Sequence, residues 1–447
     1  MTSSDSRAAT ARATPKSGPL VGLRVLELGS LLAGPFCGQV LSDLGAEVIK
    51  VEAPAKGDVM RIMGRARVGD RGLWWSHIAR GKKCVTLDLR VPEGQAIARD
   101  LISRCDVVVE NFRPGTLERW NLGYDELAAA SPGLILTRVT GYGQTGPYRD
   151  RAGFGVVGEA MGGLRYVTGF PDRPPPRVGT SIGDMLAGVF GIVGTLAALH
   201  ERERSGRGQM VDVAIYEAIA ALMESTLSDY ARGGVTRERT GSTLPGFAPS
   251  NAYLTRDGHW YILGANADNP FRRLAQVMGR PELADDARYA TDKARGERME
   301  ELDEMVGDWV ATKTSEELTE ILGEAGVPAG PIYDAAMALA DPHYRARDML
   351  HEVDEPELGP LVMPGVVPKL SRTPGSIPWA GPGHGEHDEE IFGGLLAIPP
   401  ERRAALGEAG VIGSRREVAA TAVAAPAAAV AVSAGAADRS EPREGAI

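Results

Sequence analysis

Leu23-Arg24-Val25-Leu26-Glu27-Leu28-Gly29 and Glu47-Val48-Ile49-Lys50-Val51-Glu52 are two apolar runs of strand length, and between them lie a turn bounded by Gly34 and Pro35 and a helical pattern over Phe36 to Leu44. Strand, helix and strand in that order make a β-α-β unit. Further strand-like runs follow at Cys84 to Leu89, Asp106 to Glu110, Leu134 to Val139 and Gly208 to Val213, with a helical pattern over Glu93 to Arg104. The alternation predicts an α/β fold: an open, Rossmann-like, mainly parallel sheet covered on both faces by helices. Gly29 and Gly34 do not complete G-x-G-x-x-G, so the unit lacks the phosphate turn of a dinucleotide site even though Glu52 stands where a ribose-binding acid would.

A chain of 447 residues exceeds the size at which single cores tend to split, so two domains with tails are expected. Residues 1–18, rich in Ser, Thr, Ala and Arg without an apolar core, read as a disordered N-terminal extension and not a secretory signal. Residues 19–230 form the first part of a large domain, with a long helix expected over Tyr216 to Tyr230. Residues 231–330 supply a Gly/Ser/Thr/Pro-rich linker and a smaller α+β domain. That domain has a hairpin over Tyr253 to Leu263 turned at Asp257-Gly258, and helices near Pro270 to Met278 and Ser315 to Ala325. Thr314 and Glu317 have the spacing of a capping box for the second of these. Residues 331–395 read as a return to the large domain, and residues 396–447, Ala/Val/Pro-rich beyond about Glu417, as a mostly disordered C-terminal extension.

Charge and cysteine usage narrow the function classes. The net charge is −10, the isoelectric point about 5.4 and the mean hydropathy −0.14, which opposes a nucleic-acid or anionic-membrane surface and requires a specific basic pocket for any anionic ligand. Cys37, Cys84 and Cys105 are far apart and form no C-x-x-C pair, so neither a disulfide framework nor a zinc site is expected, and a reducing cytoplasm is the simplest location. The longest uncharged apolar run, Met185 to Leu199, is shorter than the ~20 residues of a membrane span and reads as a buried helix.

At the head of that helix stands Arg177-Val178-Gly179-Thr180-Ser181-Ile182-Gly183-Asp184-Met185. Asp184 sits between a glycine-rich turn and an apolar helix, where a carboxylate serves as a helix cap or as a nucleophile. The two roles are compatible, because a helix N-terminus also stabilises the anion. A carboxylate can attack a thioester carbonyl without a general base, since a thiolate leaves more readily than an alkoxide. Gly179-Thr180-Ser181-Ile182-Gly183 also matches the G-x-S-x-G elbow of serine hydrolases, with Ser181 as nucleophile. An elbow follows a buried strand, however, and this one follows Pro174-Pro175-Pro176.

Seven segments, in order from about Pro19 to Phe392, resemble those of the family III CoA-transferases, the superfamily of formyl-CoA transferase, carnitine CoA-transferase and α-methylacyl-CoA racemase. They are Pro19 to Leu26; Ala33-Gly34-Pro35 with Leu44 to Glu52; Lys82-Lys83 leading into Leu87-Asp88-Leu89; Val109 to Gly115; Thr140 to Pro147; the Asp184 run; and Gly206-Arg207-Gly208-Gln209 before Val211-Asp212-Val213. The resemblance implies that Asp184 takes the acyl group covalently. It implies CoA contacts from Leu32 and Ala33, from Leu87 to Arg90, from Asn111, Phe112 and Arg113, from Arg119, and from the turn Thr140, Gly141, Tyr142 and Gly143. It further implies coenzyme A as a substrate with no tightly bound cofactor, no metal, and an interlocked homodimer in which a paralogous subunit could replace one partner.

The chain also departs from parts of the family. Leu32 stands where formyl-CoA transferases have Gln, and Ala53 where the family has an Arg that nearby Lys56 could replace. Phe154 stands where the racemases have a His, which removes the base that α-proton exchange needs. Gly162 to Gly169 and Arg237-Glu238-Arg239-Thr240-Gly241 are most similar to the bacterial succinyl-CoA:L-malate or citramalate transferases. A dicarboxylate acceptor would want a cation for its second carboxylate, and Arg165 is the nearest candidate, with a structural ion pair as its other reading. Gly241 to Ser250 has the composition of a mobile loop that could close over an anhydride. His387, in Gly385-Glu386-His387, is assigned a structural role.

Overall fold

The computed structural model describes residues 16–69, 71–355 and 358–413. Its main sheet has six strands: β1 (Arg24–Glu27), β2 (Glu47–Glu52), β3 (Lys83–Thr86), β4 (Val107–Glu110), β5 (Ile135–Thr140) and β6 (Met210–Ala214). Their order in space is β3-β2-β1-β4-β5-β6, and all five pairings are parallel. The order in which strands are added reverses between β1 and β4, so the crevice at the carboxyl ends of these two parallel strands is where a ligand of such a sheet binds. Strands with both faces covered read as near-continuous apolar runs, and Val107-Val108-Val109 is buried throughout.

Helix α1 (Ala33–Asp43) follows β1, with Pro35 in its first turn where a missing amide is tolerated, and α2 (Pro92–Ile102) follows β3. In chain order come α3 (Gly155–Met161), α4 (Leu164–Val167), α5 (Ile182–Ser205), α6 (Ile215–Ala220) and α7 (Thr226–Gly233). At 24 residues α5 exceeds the apolar run read from the sequence and is long and apolar enough to cross a membrane by length and composition; here it packs on α1, α6 and β5. Gly188 and Gly191 permit those approaches. A Cβ at Gly188 would lie 3.0 Å from Ala33 O, and one at Gly191 3.4 Å from Thr137.

The single helix expected over Tyr216 to Tyr230 is two. The break falls at 221–225, where Glu224 takes a left-handed φ of 50°.

A second set of buried residues, from Ala248 to Val327, surrounds an antiparallel sheet of β7 (Ser250–Leu254), β8 (Trp260–Gly264) and β9 (Ala329–Pro331). The hairpin turns at Asp257-Gly258 as expected, and Thr314 and Glu317 complete the capping box of the helix Ser315–Glu324. A helix over Met299–Val310 was not anticipated, although Leu302, Val306 and Val310 repeat at four-residue spacing and are fully buried.

Residues 376–388 lie against the main sheet. Trp379 Nε1 donates to Lys82 O at 2.9 Å, and Asp388 accepts from the amide and hydroxyl of Thr86 at 2.7 and 2.6 Å. His387 exchanges hydrogen bonds with the backbone of Cys84, its Nδ1 accepting from the amide at 3.2 Å, which is a structural task. Two terminal readings change. Residues 396–413, assigned by composition to the C-terminal extension, contain a helix, Pro400–Glu408, and Leu406, Val411 and Ile412 join the core of the main sheet. Residues 16–18, placed in the N-terminal extension, are anchored: Lys16 Nζ donates to Ser42 Oγ at 2.9 Å and to Ala46 O at 2.6 Å. The remainder of both extensions lies outside the described residues.

Candidate active site

Asp184 occupies the first turn of α5. The cap position belongs to Ser181, whose hydroxyl makes no capping bond, so the expected cap role of Asp184 is corrected to a first-turn carboxylate near the positive end of the helix. The carboxylate is half-buried and accepts no hydrogen bond from any described residue. It rests on the N-terminus of α3, where a Cβ at Gly155 would lie 2.2 Å from Oδ2. Burial first, and the nearby Glu159 carboxylate second, push its pKa from an ordinary 3.8 up to about 6, with Arg177 acting against them.

The glycines beside Asp184 have separate tasks. Gly179 holds φ 93°, which only glycine adopts cheaply. Gly183 lets the Gly155 carbonyl approach, and its amide donates to Glu159 Oε1 at 3.4 Å.

Six of the residues expected to meet CoA line one cleft of about 120 Å³: Asn111, Phe112, Arg113, Thr140, Gly141 and Tyr142. Arg149, Arg151, Gly153 and Phe154 also line it, and Phe154 runs directly into Gly155 beneath Asp184. Sequence reading missed Arg149 and Arg151, which follow the Thr140 to Pro147 segment at once and give the cleft cations besides Arg113. The turn is built for close approach. Thr140 Oγ1 accepts from the Gly143 amide at 2.9 Å, Gly143 holds φ 84°, and Gly141 touches Gly153.

Asn111 is committed within the protein, its side chain accepting from Ser30 N at 2.9 Å and donating to Ser30 O at 2.8 Å. It thereby joins the loops after β1 and β4 at the sheet's switch point. Cβ atoms at Gly29 and Gly34 would lie 2.5 and 3.3 Å from it, so the amide fills the space that the glycines of a dinucleotide site leave for pyrophosphate.

Leu32 and Ala33 are brought beside α5, but their side chains are buried, Leu32 with Met60 and Trp75 and Ala33 with Ala187, so only their backbone is free to meet a ligand. Leu87 is 2% exposed and belongs to the core. Arg90 is exposed and paired with Asp88 through two bonds of 2.8 and 2.7 Å, and Arg119 donates to Thr116 Oγ1 at 3.0 Å. These last three do not line the cleft.

Arg165, on α4, comes to the Asp184 neighbourhood through Glu159, its Nε lying 3.5 Å from Glu159 Oε2. Its Nε and Nη2 are buried without hydrogen bonds. The two segments singled out for their resemblance to dicarboxylate enzymes touch each other: Arg239 donates to Tyr166 O at 3.0 Å and Phe170 O at 3.3 Å, Tyr166 donates its hydroxyl to Glu238 at 2.8 Å, and Gly241 N donates to Gly169 O at 2.9 Å. The helix that carries Arg165 and the entry to the loop from Gly241 are therefore one connected unit.

Neither alternative chemistry finds its parts. Phe154 is 64% exposed and offers no base, and Ser181 has no hydrogen bond to an imidazole among the described residues and follows no strand.

A succinyl-CoA–D-citramalate CoA-transferase of Chloroflexus aurantiacus is 57% identical over 388 residues, which is 87% of this chain and 96% of that protein. The beta subunit of a succinyl-CoA–L-malate CoA-transferase from the same organism is 43% identical over 86% of this chain and 96% of its own length. The crystal structure of a CaiB/BaiF family protein from Brucella suis matches with a TM-score of 0.75 at 35% identity, covering 85% of this chain and all of that one. The model of CoA-transferase family III matches residues 20–388, and the chain belongs to that family of enzymes.

Proposed function

We propose that this CoA-transferase moves CoA from succinyl-CoA to a dicarboxylate such as D-citramalate or L-malate, with Asp184 as the acyl carrier. One observation carries the reading: a half-buried carboxylate, free of hydrogen bonds, lies at the end of a wall that also lines a cleft bearing Arg113, Arg149 and Arg151. Asp184 attacks the donor thioester to give an anhydride and CoA thiolate. The thiolate returns to the Asp184 carbonyl, giving an enzyme thioester and free succinate. The acceptor carboxylate then repeats both steps in reverse. Thioester and anhydride are both activated acyl groups, so the exchange needs no ATP.

CoA lies along the cleft, its phosphates on the arginines and its pantetheine on the backbone of Leu32, Ala33 and the Thr140 to Gly143 turn. Arg165 receives the acceptor's second carboxylate, and the Gly241 to Ser250 loop closes to exclude water. In this reading residues 231–330 form the smaller domain of an interlocked homodimer, and the alpha and beta subunits among the relatives support a paralogous partner as the variation. The three free cysteines suit a cytoplasmic enzyme.

Intact-mass measurement after incubation with succinyl-CoA should find CoA bound at Asp184, and a panel of acceptors should rank dicarboxylates above monocarboxylates of equal length. No adduct sinks the mechanism, and a reversed ranking removes Arg165 from acceptor binding.

The acid limb is a second expectation. Protonated Asp184 cannot attack, so kcat/KM for the acyl-CoA should be level above about pH 6 and fall about tenfold per pH unit below it. A limb near 3.8 would show that burial does not raise the carboxyl in solution.

A further inference from the structure

Helix α3 faces Asp184 with two residues from one side. Gly155 and Glu159 are four positions apart, so they lie one above the other on the same face. The first touches the nucleophile's carboxylate, and the second accepts from the amide of Gly183, the residue before it. Glu159 is fully buried, yet it is loosely held: its one hydrogen bond is 3.4 Å long, and its Oε2, 3.5 Å from Arg165 Nε, makes none. Burying a carboxylate on such terms is costly, and placing it about one helical turn from a second carboxylate adds repulsion that a low dielectric strengthens. Arg165 is the one ion-pair partner of Glu159 among the described residues. The rest of α3 is Gly-Val-Val-Gly before it and Ala-Met after it.

We propose that Glu159 is a positioning residue whose fixed negative charge disfavours the free Asp184 carboxylate relative to its acylated forms and so loads the nucleophile. The inference rests on Asp184 being the nucleophile. When an Asp184 oxygen attacks the thioester carbonyl carbon, a C–O bond forms, the C–S bond breaks, and the electron pair departs on sulfur as CoA thiolate. Position 184 passes from anion to neutral anhydride. When the thiolate attacks the Asp184 carbonyl carbon, a C–S bond forms, the anhydride C–O bond breaks, and the donor acid leaves as a carboxylate. Position 184 is again neutral. Each covalent form has lost the charge that Glu159 opposes, while the anion it becomes is one that diffuses away. The raised proton affinity of Asp184, owed first to burial and second to Glu159, has the same sense, since protonation and acylation both remove the charge.

The test is the equilibrium between free enzyme plus succinyl-CoA and enzyme thioester plus succinate, read by intact mass in the absence of acceptor. Glu159→Gln should lower that equilibrium constant about tenfold, whereas Glu159→Asp, which keeps the charge, should stay within threefold of wild type. If Glu159→Gln does not fold, Glu159→Asn removes the anion and leaves Arg165 in place, and the same tenfold loss is expected. A constant within twofold of wild type in either neutral variant overturns the proposal. If wild type itself forms no adduct at Asp184, the nucleophile reading fails first, a result distinct from an altered constant.

Discussion

Asp184→Asn should lower turnover at least about 10⁴-fold while making the protein more stable. The activity loss is what removal of a covalent nucleophile costs when binding groups stay in place, because those groups alone accelerate little. The stability gain follows from the same environment that makes the residue useful. A carboxyl whose pKa rises from 3.8 to about 6 on folding binds its proton more tightly in the native state, so the native state is penalised where the group is ionised. The penalty is absent below about pH 4, grows as pH rises to about 6 and is complete above. A shift of that size corresponds to about 3 kcal/mol, and the carboxylate's remaining solvent access reduces the expected gain to about 1–2 kcal/mol. Thermal melts at pH 7.5 should therefore show Asp184→Asn above wild type, with the two converging at pH 4. A variant less stable than wild type at neutral pH would mean that the carboxylate is stabilised by partners the geometry does not contain.

Legibility in the sequence followed the reach of each interaction. The strand Glu47–Glu52 and the capping box at Thr314 depend on neighbouring residues, and both are found where the sequence places them. The break after Ala220 was hidden because Tyr216 to Tyr230 contains no Gly or Pro to mark it; the left-handed turn at Glu224 depends on packing. At the site, the resemblance brought Asn111 and Thr140 to one cleft, but it could not show that Asn111 is occupied by Ser30 or that Leu87 points into the core. Glu159 had a signal, a single acid in an otherwise apolar, glycine-rich helix. That signal acquires meaning only when Gly155 is seen against Asp184.

Glu27→Ala should destabilise the protein by about 3–5 kcal/mol and raise KM for the acyl-CoA in whatever folded protein remains. Glu27 ends β1 opposite Lys50 on β2, and Glu27, Lys50 and Lys82 are all 0–1% exposed. Lys50 Nζ lies 3.0 Å from Glu27 and 2.9 Å from Asp58, and Lys82 Nζ lies 2.7 Å from the other Glu27 oxygen. A Cβ at Gly38 would fall 1.9 Å from that oxygen, so glycine in α1 is what admits the carboxylate. Removing Glu27 leaves Lys50 with Asp58 alone and buried Lys82 without an ion pair among the described residues.

The same lysines hold the loop that carries Leu32 and Ala33, since Lys50 donates to Gly29 O at 2.9 Å and Lys82 to Pro35 O at 2.7 Å. Replacing the whole ion cluster, Glu27→Leu with Lys50→Met, Lys82→Met and Asp58→Asn, should return most of the stability, because apolar or neutral side chains of similar volume fill a buried ion cluster at little cost. It should not return the loop. The quadruple variant is therefore expected to melt near wild type and still require more acyl-CoA for half-maximal rate. Recovery of both properties together would separate the buried charges from the placement of the loop that carries Leu32 and Ala33.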